Sequence, residues 1–79
     1  MSRDKKMRGE LPSLLGRPLT EIELGILKLV SQGYSYPKIA SMRKRGLQTI
    51  KNEGRTLQLK LGARNSAHAV AIAKDKGLI

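Results

Sequence analysis

Cysteine, phenylalanine and tryptophan are absent from the 79-residue chain. Without cysteine there are no disulfides, thiolate metal ligands or cysteine nucleophiles, a composition that suits a reducing cytosol. The aromatics are Tyr34 and Tyr36 alone, fewer than a single-strand stacking platform uses. No apolar run approaches the ~20 residues of a membrane span. The basic start, Arg3 to Arg8, is not followed by the apolar stretch of a signal peptide. One histidine, His68, is too few ligands to organise a metal without cysteine. Glu21 and Glu23 diverge on a helix at i, i+2 and do not form an acid–base pair. No nucleophile–base pair and no glycine-rich phosphate loop is present. The expectation is a non-enzyme with no cofactor, no metal and no membrane partner.

What the chain has is positive charge, and the charge is concentrated. Sixteen Lys/Arg against six acids give +10 and a sequence pI near 10.6. Lys38 to Arg64 holds eight Lys/Arg against one acid, Glu53, which is +7 of that total. Such a balance points to a polyanion. Placement of the charge decides among DNA, RNA and an acidic surface.

Periodicity predicts an all-α fold of four short helices. Thr20 and Glu23 have capping-box spacing, Ile22, Ile26, Leu29 and Val30 follow as a stripe, and Gly33 closes the helix. A second helix starts at Ser35 as N-cap, tolerates Pro37 in its first turn, and turns Ile39 and Ala40 inward. The third runs from about Leu47 to Leu61 and ends at Gly62. On it Leu47, Ile50, Gly54, Leu57 and Leu61 fall within about 80° of arc, while Gln48, Lys51, Asn52, Arg55 and Leu59 lie opposite. The fourth begins after Asn65 and stops at Gly77, with Ala69, Val70 and Ala73 inward. Two helices joined by a short turn, the second with an outward polar and cationic face, describe a helix-turn-helix. Residues 1–18 read as a flexible basic tail, disordered through about Glu10, with Leu11, Leu14 and Leu15 available to fold back. Residues 19–79 form the domain.

The stretches LTEIELGILKLVSQGYS (19–35), KIA (38–40), TIKN (49–52), LKLGARNSAHAVAIA (59–73) and GLI (77–79) resemble the LuxR/GerE type of helix-turn-helix DNA-binding domain found in bacterial transcription regulators. The resemblance covers about three quarters of the chain and is closest to small stand-alone, GerE-like members. It implies a four-helix fold, a third helix (about 47–61) entering the major groove, and a two-fold dimer contact through the fourth. It also implies DNA contact at Lys51, Asn52 and Arg55, with Thr49 reaching the backbone. Location in a bacterial cytoplasm or nucleoid, or in a phage-infected bacterial cell, goes with it.

Five departures stand out. The family's Leu-Gly-Ile-Ser turn is Arg43-Lys44-Arg45-Gly46 here, and Met42 or Leu47 is expected to refill the lost apolar contacts. Gly54 replaces a small apolar residue and Gly25 a common glutamate. Glu53 stands at a frequent histidine, and Leu59 at a commonly basic position.

The expected DNA-binding set is therefore Lys51, Asn52 and Arg55, with Gln48 and Thr49 as backbone contacts and Arg43, Lys44 and Arg45 as a phosphate clamp. Arg and Lys pair with guanine and Asn with adenine in the major groove; the cations are equally suited to phosphate, and both uses stay open. Tyr34 is expected to be packed and His68 exposed. Leu24, Leu59 and Ile72 are the exposed apolars, and His68, Ala69 and Ile72 are candidates for a dimer contact. The leading expectation is a sequence-specific regulator of double-stranded DNA acting as a dimer. The alternatives are a protein-interaction module binding RNA polymerase or another regulator, and a non-specific architectural DNA binder.

Overall fold

The computed structural model describes residues 14–79. Four helices account for the secondary structure of the domain: α1 (Glu21–Ser31), α2 (Tyr36–Arg43), α3 (Leu47–Leu61) and α4 (Ser66–Asp75). There is no strand among the described residues. The fold is all-α, as the periodicity predicts.

Side-chain caps fix three of the four helix starts. Thr20 Oγ1 accepts from Glu23 N at 3.1 Å and Glu23 Oε1 accepts from Thr20 N at 2.9 Å, a complete capping box. Ser35 accepts from Lys38 N and Asn65 from His68 N. The start of α3 is the exception. Its N-cap is Gly46, which has no side chain to offer.

All four helices end in the same way. A residue at positive φ follows the last turn, and the next N–H reaches back to a carbonyl five residues earlier: Tyr34 to Leu29, Arg45 to Ala40, Ala63 to Gln58 and Leu78 to Ala73. Glycine holds the positive-φ position three times, at Gly33, Gly62 and Gly77. After α2 it is Lys44, at φ 57°. A Cβ disfavours that conformation by about 1 kcal/mol.

The core is wholly aliphatic: Ile26, Leu27, Ile39, Ala40, Ile50, Leu57, Ala69 and Ala73. Leu27 lies off the stripe read from the sequence. It is buried because α1 packs against each of the other three helices. Met42 and Leu47 do not refill the turn; they stay 44% and 38% exposed. Tyr34 is also exposed, at 39%, and the packed tyrosine is Tyr36. Leu24, Leu59 and Ile72, expected outside, are half-buried.

Residues 14–18, placed in the tail by the sequence, are held at the end of α3. Gly16 N donates to Lys60 O at 2.8 Å, and Leu15 lies against Gly62. The disorder expected through Glu10, and the folding back of Leu11, lie outside the described residues.

Candidate nucleic-acid interface

The three-residue connection Lys44–Gly46 sets α3 across α2, and α3 packs on all three other helices through Ile50, Gly54 and Leu57. With that face inward, Gln48, Thr49, Lys51, Asn52 and Arg55 are all exposed on the other. Gln48 Nε2 donates to Asn52 Oδ1 at 3.1 Å, one turn apart. This bond orients the Asn52 amide. Asn52 is flanked on the same face by Lys51 and Arg55, two cations at i, i+4. The surface therefore combines a positioned amide with two flexible cations, the side-chain types that meet adenine, guanine and phosphate.

The basic turn divides. Lys44 and Arg45 are exposed beside the first turn of α3. Arg43 is half-buried, and its guanidinium lies on the backbone of Gly25 in α1. A Cβ at residue 25 would sit 2.7 Å from Arg43 Nη1. The glycine thus makes room for the arginine. Arg43 Nε is enclosed there without a hydrogen-bond partner.

Lys60, the last cation on α3, is not part of the outward face. Its Nζ lies 2.8 Å from Glu23 Oε1 and 3.2 Å from Pro18 O, with the two charged side chains 12% and 4% exposed. In the sequence Lys60 counts only within the basic segment Lys38 to Arg64, and nothing there foresees this pair. Glu53, between Asn52 and Gly54 on the same helix, is half-buried.

On α4 the structure separates the three dimer candidates. Ala69 is fully buried between α1 and α3, which corrects its placement on a contact surface. Its position on the inward stripe with Ala73 is the reason. His68 and Ile72 are half-buried, and His68 Nδ1 accepts from Arg64 N at 3.0 Å. Among the described residues no group of three His, Cys, Asp or Glu is placed to hold a metal, and no helix is long and apolar enough to cross a membrane.

Over 60 residues the chain is 40% identical to the response regulator RamR of Streptomyces coelicolor. The chain is thus similar to part of a response regulator. The match covers 76% of this chain and 30% of RamR, so the chain spans under a third of that protein's length. No family model and no solved structure matches the chain. The four-helix architecture with α2 and α3 in helix-turn-helix succession fits a regulator's DNA-binding domain.

Proposed function

We propose that the chain is a LuxR/GerE-type transcriptional regulator that reads double-stranded DNA with α3 in the major groove. The observation that carries this is the exposure of Lys51, Asn52 and Arg55 on one face of a helix whose opposite face is buried. Asn52, oriented by Gln48, is the amide suited to adenine. Arg55 and Lys51 supply guanine or phosphate contacts, and Thr49, Lys44 and Arg45 hold the adjacent backbone. The relationship to a response regulator supports the reading. A second copy docks through the half-buried Ile72 and His68 of α4, so the site on DNA is two-fold. The protein works where such DNA lies, in the bacterial cytoplasm or nucleoid.

Selection of bound duplexes from a random pool at two salt concentrations tests this. A recurring two-fold sequence, with affinity that falls steeply with salt, is the expected result. Equal affinity for selected and random duplexes points to an architectural binder instead. Ile72→Glu is expected to leave the domain folded and to weaken the dimer in sedimentation; a wild type that sediments as a monomer both free and on DNA removes the dimer.

One observation favours a protein partner as a second reading. Met42 and Leu47 leave exposed apolar surface beside the basic turn. A stoichiometric complex with RNA polymerase or another regulator, and no selected duplex, is its signature.

A further inference from the structure

Tyr36 and Gly54 are complementary across the helix-turn-helix. Tyr36 is the first residue of α2, and Gly54 is on the inward face of α3. The phenol lies directly on the glycine: a Cβ at residue 54 would sit 2.7 Å from Tyr36 Cζ and would overlap the hydroxyl. Glycine inside a helix is destabilising relative to alanine, so its presence here has a local reason. Only a residue without a side chain lets the ring pass over α3.

The hydroxyl beyond the ring is held from two sides. Tyr36 Oη and Ser66 Oγ are 3.0 Å apart, and Gln58 Nε2 lies 3.5 Å from Tyr36 Oη and 3.3 Å from Ser66 Oγ. Ser66 is the first residue of α4. No Cα of α2 comes within 8 Å of one in α4, so the tyrosine spans a distance the backbones do not. One side chain thereby joins α2, the middle of α3 and the start of α4. Arg55 follows Gly54 directly, and Lys51 precedes it by one turn.

We propose that Tyr36 is a positioning residue for base discrimination: its ring on Gly54 and its hydroxyl on Ser66 and Gln58 fix the height and roll of α3, and so the aim of Lys51, Asn52 and Arg55. This rests on the DNA reading above. A displacement of the reading face by an ångström misaligns base contacts, which are directional, and leaves phosphate contacts, which long cations can follow.

The test has two arms. In the first, Tyr36→Phe keeps the ring and removes the hydroxyl. Its ratio of affinity for the selected duplex over a random duplex is expected to fall about tenfold, the size of one or two lost hydrogen bonds, while random-duplex affinity and its salt slope stay at the wild-type value. An unchanged ratio beside a discriminating wild type overturns the positioning role alone. A wild type with no sequence preference overturns the DNA reading and this role with it. In the second arm, Gly54→Ala is expected to lower the melting temperature in the wild-type background and to raise it or leave it unchanged beside Tyr36→Ala, where the clash is gone and alanine is the better helix former. Equal effects of Gly54→Ala in both backgrounds overturn the contact itself, whatever the DNA result.

Discussion

Lys51 and Lys60 stand on the same helix, in the same basic segment, and do opposite things. Lys51 is exposed on the outward face, with Arg55 one turn on and Asn52 beside it. Lys60 is withdrawn from solvent, pairs with the capping carboxylate of Glu23 and donates to Pro18 O. One end of α3 presents charge and the other uses charge to tie α3 to the start of α1. A count of basic residues therefore overstates what a polyanion meets. The charge left to the outward surface is what remains after Lys60 is paired and Arg43 is laid on Gly25.

Substitutions that remove one role and keep the other sharpen this contrast. The largest effect on stability belongs to Lys60→Met. Glu23 is then left buried and unpaired, and the loss is expected to be about 3 kcal/mol in urea unfolding. Adding Glu23→Gln, which keeps a capping-box side chain, is expected to restore much of it. A Lys60→Met variant as stable as wild type contradicts the inner role.

Lys44→Gly is smaller and of opposite sign. Glycine relieves the positive φ at the end of α2. After its greater freedom in the unfolded chain is counted, a gain of about 0.5–1 kcal/mol is expected. Duplex affinity is expected to fall at the same time, because a cation beside the reading helix is gone. A gain in stability with unchanged affinity breaks the link between the strained turn and binding.

Gly46→Ser adds the missing N-cap of α3. It is expected to stabilise by only a few tenths of a kcal/mol, read as a small rise in melting temperature. A fall instead means that the turn cannot hold a side chain at residue 46.

The elements were legible because their signals are local. The Thr20–Glu23 box, the Asn65 cap, the closing glycines and the stripe on α3 all lie within one or two turns of the chain, and α3 spans Leu47–Leu61 as the stripe predicts. The outward placement of Lys51, Asn52 and Arg55 followed from the same stripe. Contacts between distant residues were not legible. Nothing near Gly54 in sequence announces Tyr36, and nothing near Gly25 announces Arg43, although each glycine marked a departure from the family pattern. In the sequence Gly54 stands only for a missing small apolar residue and Gly25 only for a missing glutamate. The structure fills each with a larger side chain from α2. Tyr34, expected to be packed, is exposed and Tyr36 packs instead, for a related reason. Both border the start of α2, and tertiary packing rather than local pattern decides which one turns inward.

The division of charge on α3 is tested most directly by the Lys51→Ala/Arg55→Ala double variant. Its melting temperature and its affinity for the selected duplex are measured beside wild type. Loss of affinity on the order of 100-fold, with the melting temperature unchanged, is the predicted result. A double variant that binds the duplex as wild type does contradicts the account.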